Sequence, residues 1–251
     1  MQFQFFIPTK MVMGEDCILK NPDVFAHAGR KALIVTGKSS SRKNGSLADV
    51  TAVLRKNGQG HAVFDKVMSN PTVDCVYAGA AAAKKAGADF IVAIGGGSPM
   101  DAAKAVAVLA CRDIGRQDLF SGEYGDERLP MLFVPTTAGT GSEVTPYAVL
   151  TNDAARTKMS MASPVLFPDY AFLDPKYTEG LSREITVNTA LDALSHAVEG
   201  SLSRRATEIS DALAFQSMRM IASQFGSLES FTLGGAERGT LLYASALAGI
   251  V

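Results

Sequence analysis

The residues best equipped for chemistry lie at Asp192-Ala-Leu-Ser-His196. On a helix, an i, i+4 spacing puts a carboxylate and an imidazole on one face, about 5–6 Å apart at Cβ. Such a pair suits two ligands of one divalent cation. It suits equally a plain Asp–His hydrogen bond. Glu199, three residues further on, is either a neighbour of that pair or a solvated side chain. His27 and His61 stand among polar N-terminal residues and are expected at the surface.

Two loops offer a different chemistry. In FIVAIGGGSPMDAAK (90–104) an apolar run enters Gly95-Gly96-Gly97, with Ser98 placed to cap a helix and Pro99 at its first position. Glycines let the backbone approach a ligand closely, and the free N–H groups of a helix start attract phosphate. The pattern is not GxGxxG, because Met100 holds the third glycine's position, and a tight strand-to-helix turn without a ligand is the alternative. Asp101, in the first turn, suits the helix dipole and could also bind a ribose hydroxyl or orient the loop. The second loop, PTTAGTGSEVT (135–145), presents the hydroxyls of Thr136, Thr137, Thr140, Ser142 and Thr145. Loops beyond the carboxyl ends of parallel strands are where α/β sheets bind ligands, although a turn of this composition needs none.

Strands and helices must hold these loops in place. Runs at Ala32–Thr36, His61–Phe64, Asp89–Ile94 and Met131–Val134 read as strands, and the third is apolar nearly throughout, as a doubly covered strand should be. Helical segments at Leu47–Lys56, Val73–Ala86 and Ser98–Ala110 alternate with them, the first two stopping at Asn57-Gly58 and at Gly87. This alternation predicts an α/β domain with a parallel sheet over residues 1–180. From Ser182 onward the segments 182–201, 206–225 and 236 to the end read as helices with no strand, which predicts an all-helical domain over 181–251. The closing LLYASALAGIV is apolar, with no cap and no polar tail, and reads as a chain cut inside a buried helix, leaving the helical domain incomplete.

Composition excludes several classes of function. Hydrophobic residues make up 47% and charged residues 20%, and 24 basic groups stand against 25 acidic ones, for a net charge of −1. That balance is too apolar for disorder and has no basic excess for a nucleic-acid partner. No apolar run reaches the ~18 residues of a membrane span, and the N-terminus lacks the basic and apolar regions of a signal peptide. Cys17, Cys75 and Cys111 lie far apart without CxxC spacing, as expected of unpaired thiols in a reducing cytoplasm.

Taken together, PTK (8–10), VTGKSS (35–40), NPT (70–72), GGGSPMDAAKA (95–105), PTTAGTGSEVT (135–145), AFLDP (171–175) and DALSHAVEG (192–200) resemble the iron-containing (group III) alcohol dehydrogenase family. They fall in the family's order over nearly the whole chain, and are most similar to short-chain alcohol, aldehyde and diol members such as 1,3-propanediol and butanol dehydrogenases. The resemblance implies an N-terminal dinucleotide-binding α/β domain, a C-terminal helical domain and an active site between them. It implies that Gly96, Gly97 and Ser98 hold the pyrophosphate with Asp101 nearby, and that Thr136, Thr137 and Thr140 line the path to the nicotinamide. Lys158 would reach the nicotinamide ribose, and Asn70 would sit near the adenosine half. Asp192 and His196 match the family's first two metal ligands, for Fe²⁺ or sometimes Zn²⁺, and would serve hydride transfer between a small alcohol or aldehyde and the cofactor. NAD-preferring members tend to carry an acidic residue where this chain has Gly37. Without that carboxylate, and with Ser39, Ser40, Arg42 and Lys43 as donors, NADP is expected over NAD. Homo-oligomers are also implied.

The family's metal site has one aspartate and three histidines, and no histidine follows His196. Two protein ligands fall short of the three typical of catalytic zinc. A second reading is therefore a nucleotide-binding remnant without turnover. A third, the related glycerol dehydrogenase branch, keeps the two-domain plan but fits GSEVTP less well.

Overall fold

No position of the strand at Phe90–Gly95 is exposed, because its side chains feed two cores. Ile91 and Ala93 enter one, while Phe90, Val92 and Ile94 enter the other. The computed structural model describes residues 2–251. Its strands are β1 (Lys10–Met13), β2 (Lys31–Gly37), β3 (Gly60–Val67), β4 (Phe90–Gly95), β5 (Met131–Pro135), β6 (Tyr147–Asn152), β7 (Thr157–Ala162) and β8 (Tyr170–Leu173). Six of them form one parallel sheet in the order β1-β8-β5-β4-β2-β3, and β6 pairs antiparallel with β7.

The helices are α1 (Cys17–Lys20), α2 (Pro22–Ala28), α3 (Ser40–Lys43), α4 (Ser46–Lys56), α5 (Val73–Ala86), α6 (Gly97–Cys111), α7 (Arg183–Leu202), α8 (Glu208–Ala222), α9 (Phe225–Ser230) and α10 (Gly235–Ile250). One sheet face is covered by α1, α2 and α4, whose Ile18, Phe25, Leu47, Val50 and Leu54 pack on Ile34, Val92 and Val134. The spacing of Leu47, Val50 and Leu54 is one stripe of a helix, so α4 buries a single side. The other face carries α5 and α6, and the β6–β7 hairpin joins that layer through Ala148, Leu150 and Met161. Alanines at 102, 103, 105 and 107 let α6 be buried nearly all round.

Beyond β8 the chain is helical, as expected from Ser182 onward. The core of α7, α8 and α10 also takes in Ala138, Val144, Ala171 and Leu173, so this layer packs on β8 and on the threonine-rich loop. The Gly87 stop is a left-handed residue, φ 60°, at the end of α5. His27 and His61 are exposed, in line with the sequence reading.

Two expectations need correction. The helix in the glycine segment starts at Gly97 with Gly96 at the cap position, so Ser98 lies inside the first turn rather than capping it. Pro99 is thus the third helical residue rather than the first, and Gly96 is extended at φ −83°, an ordinary cap conformation. The segment 206–225 is broken into α8 and α9: a Thr207–Ser210 capping box starts α8, which ends at Ala222, and Phe225 opens α9. The hairpin β6–β7 and the edge strand β1 were not foreseen. Alternation in Tyr147–Leu150, outward and inward by turns, was the available signal for β6. Among the described residues no helix is long and apolar enough to cross a membrane.

Candidate functional site

Gly95 at the end of β4 is paired with Pro135 at the end of β5, so the two loops leave the sheet side by side at its carboxyl edge. They are stitched at the start by a 2.9 Å hydrogen bond from Thr136 N–H to the Gly95 carbonyl. From there they close on each other. A Cβ on Gly96 would come within 2.8 Å of the Thr137 hydroxyl, and one on Gly97 within 2.9 Å of the Thr140 methyl. These glycines are therefore required by the neighbouring loop of the chain itself. The same close approach places the N-terminus of α6 at the floor of a cleft of about 620 Å³.

Of the residues singled out from the sequence, Asn70, Gly97, Ser98, Asp101, Thr140, Ser142, Thr145, Lys158, Asp192 and His196 line this cleft together. Gly37, Ser40, Gly96, Thr136 and Thr137 do not. Thr136 is buried beneath the loop, and Thr137 packs behind Gly96. Gly37 ends β2, one residue past the pairing of Thr36 with Ile94, and so lies on the same sheet edge one strand away. Ser40 opens α3 beside it. Ser98 Oγ accepts from Asn70 N–H at 3.2 Å, which ties the loop before α5 to the start of α6.

On the far wall, α7 carries Asp192 and His196. Their Oδ1 and Nε2 atoms stand 3.9 Å apart and are about 46% and 38% exposed. That distance is too long for a hydrogen bond, so the simplest Asp–His pairing is not formed. Both groups stay free to share a third partner. Glu199 also lines the cleft, with its carboxylate accepting from Ser195 Oγ at 2.7 Å. Among the described residues no third His, Cys, Asp or Glu joins Asp192 and His196 as a cluster.

Of the charges beneath the cleft, Asp101 was singled out from the sequence, whereas Lys104 and Glu143 were not. Lys104 is fully buried and donates to Ser142 Oγ and Thr145 Oγ1, both at 2.9 Å, and to the Tyr147 carbonyl at 2.6 Å. Burial lowers its pKa to about 8, while Asp101 and Glu143 act in the opposite direction. Asp101 accepts from Ser142 Oγ at 2.6 Å and from Val149 N–H at 3.0 Å. Burial raises its pKa, and the neighbouring Lys104 counters the effect. Glu143 is buried with its Oε1 unpartnered, and desolvation pushes its carboxyl up to about 7. Tyr147, Val149, Gly200 and Gly249 also line the cleft. Tyr147, Val149 and Gly249 lie outside every chemistry-bearing motif, because they arrive through the hairpin and through the packing of α10, whereas Gly200 closes the DALSHAVEG segment.

Comparison with known proteins agrees with this architecture. Residues 8–175 match the iron-containing alcohol dehydrogenase family model, and residues 186–251 match the C-terminal model of the Fe-containing alcohol dehydrogenase family. The chain is 31% identical to the NAD-dependent methanol dehydrogenase of Bacillus methanolicus over 98% of its own length and 65% of that protein's. It is 36% identical to the 1,3-propanediol dehydrogenase of Citrobacter freundii over 98% of its length and 62% of that protein's. The crystal structure of an iron-containing alcohol dehydrogenase from Thermotoga maritima superposes with a TM-score of 0.92 at 44% identity, covering 99% of this chain and 68% of that one. The chain thus spans a little under two thirds of the length of the two curated relatives.

Proposed function

Because the chain belongs to the iron-containing alcohol dehydrogenase family, we propose that its cleft binds a nicotinamide dinucleotide and a small alcohol or aldehyde and serves metal-dependent hydride transfer between them. The observation that carries this reading is the convergence of three elements on one cleft: the α6 N-terminus, the threonine-rich loop, and the Asp192–His196 pair on the opposite wall. The cleft's volume is that of a small-molecule site.

Gly97 and Ser98 present backbone N–H groups at a helix start, the arrangement that attracts a pyrophosphate, with Gly96 allowing the turn. Asp101 is engaged by Ser142 and Val149, so its part is to hold the loop rather than to meet the ligand directly. Thr140 faces the cleft with Thr137 packed behind Gly96, and we assign Lys158 to the nicotinamide ribose and Asn70 to the adenosine half. For the adenosine end we favour NADP over NAD. Gly37 has no carboxylate to repel a 2′-phosphate, and Ser40 and Lys43 lie on α3 just beyond it. Arg42 is paired with Asp65 at 3.2 Å and so contributes less than its charge suggests.

Asp192 and His196 are suitable donors for Fe²⁺ or Zn²⁺ and supply two positions of its shell. A metal held there would supply polarisation of the substrate oxygen, and a bound nicotinamide would supply the hydride exchange. The chain's own residues orient the cofactor from below and hold the metal-ligating carboxylate and imidazole across from it. Free Cys17, Cys75 and Cys111 suit a cytoplasmic setting, and we expect a homo-oligomer.

The test is titration of the purified chain with NADPH and NADH, with iron and zinc content measured in the same preparation. Nucleotide bound with stoichiometric metal supports the reading. Nucleotide without metal favours a binding module lacking turnover, which the two-donor cluster would explain. No nucleotide bound rejects both.

A further inference from the structure

Lys104 stands in the middle of α6 with none of its surface exposed, yet every donor of its ammonium is used. An ammonium carries three N–H bonds, and three acceptors surround it: Ser142 Oγ, Thr145 Oγ1 and the Tyr147 carbonyl. The first two belong to the threonine-rich loop and the third to the first residue of β6. Asp101, one turn earlier, completes the lattice from the same helix. Ser142 therefore accepts from Lys104 and donates to Asp101, while Val149 N–H ties β6 to the other carboxylate oxygen. The hydroxyls of Ser142 and Thr145 are committed to this lattice, although both residues line the cleft together with Thr140.

A buried charge is a poor way to gain stability, because an apolar side chain of similar volume usually does as well or better. What it adds is direction: three bonds at fixed angles set the register of the groups that make them. We propose that Lys104 is a positioning residue of the nucleotide cleft, pinning the threonine-rich loop and β6 to α6 and so setting the wall that faces Gly97 and Ser98. This rests on the dinucleotide reading above and extends it to a residue that touches no ligand. The charged groups facing Lys104 are Asp101 from its own helix and Glu143 from the turn at 142–144; β6 offers a carbonyl and the loop neutral hydroxyls. With its pKa near 8, Lys104 becomes a neutral amine within an accessible pH range, and two hydrogens then serve three acceptors.

The experiment compares wild type, Lys104→Met, Ser142→Ala and the double variant. Backbone hydrogen exchange of residues 136–152 and the affinities for NADPH and NADH by fluorescence are measured from pH 6.5 to about 9.5, a range that brackets the lysine titration. Lys104→Met should speed exchange in 136–152 by about tenfold and leave α8 unchanged, as expected for losing charge-assisted bonds. Nucleotide affinity should weaken by about the same factor, and the double variant should lose less than the two single variants combined, because they share the Lys104–Ser142 bond. Wild-type affinity should show a pH limb near 8 that Lys104→Met lacks. Unchanged exchange in 136–152, a loss of protection spread evenly over the chain, or unchanged nucleotide affinity despite a loosened loop would each overturn the proposal. If Lys104→Met does not fold, Ser142→Ala and the wild-type pH profile carry the same test. Failure of wild type to bind NADH or NADPH would sink the dinucleotide reading, while the exchange data would still decide whether Lys104 pins the loop.

Discussion

Replacing Gly141 by alanine should separate α10 from the cleft. Gly141 lies in the threonine-rich loop at φ 59°, and a Cβ there would stand 2.7 Å from Gly249 Cα and 2.8 Å from the Ser245 carbonyl, both backbone atoms of α10. The contact is reciprocal, since a Cβ on Gly249 would meet the Gly141 carbonyl at 2.7 Å. Two effects add. A left-handed alanine costs about 1–2 kcal/mol, and forcing a methyl against rigid backbone adds about 1–3 kcal/mol. Gly87 provides the control: it ends α5 at φ 60° and has nothing within 4 Å of its would-be Cβ. Gly87→Ala should therefore show the backbone strain alone, and Gly141→Ala should exceed it by about 1–3 kcal/mol of overpacking. Urea unfolding followed by circular dichroism measures both. Because Ala248 and Gly249 line the cleft beside Thr140 and Ser142, Gly141→Ala should also weaken nucleotide binding while Gly87→Ala leaves it intact. Equal losses of stability in the two variants would refute the backbone contact between loop and helix.

Other expectations are more local. Gly37→Asp fits without a clash, since the nearest atom to its Cβ is the Val67 carbonyl at 3.5 Å. It should shift the NADP-to-NAD affinity ratio toward NAD by about tenfold or more through repulsion of the 2′-phosphate, and an unchanged ratio rejects the assignment of Gly37. His196→Ala should lower bound iron or zinc while nucleotide affinity persists; metal retained in full would return His196 to a structural role. The buried Glu143 holds its proton to about pH 7, whereas an unfolded glutamate releases it near 4.5. The folded state then binds more protons between those values, so raising the pH through that window removes stability, roughly 3 kcal/mol if the whole shift acts. Glu143→Gln should flatten that slope in urea unfolding measured from pH 4.5 to 7, and an unaltered slope would place the titration elsewhere.

Local pattern carried much of the architecture. The apolar run at Asp89–Ile94 announced a doubly covered strand because both its faces meet helices, and Gly87 announced the end of α5 because only a residue without Cβ rests easily at positive φ. The i, i+4 spacing of Asp192 and His196 likewise placed them on one face of a helix before any coordinates. Other features have no local signature. That Gly96 and Gly97 are demanded by Thr137 and Thr140 depends on β4 and β5 lying side by side, forty residues apart along the chain. That the Ser142 and Thr145 hydroxyls are bound to Lys104 depends on which way the loop folds over α6. A side chain's type is written at its own position. Its partner is set by the packing of distant segments, and in a buried site the partner decides whether a hydroxyl, a lysine or a carboxylate meets a ligand or holds the protein together.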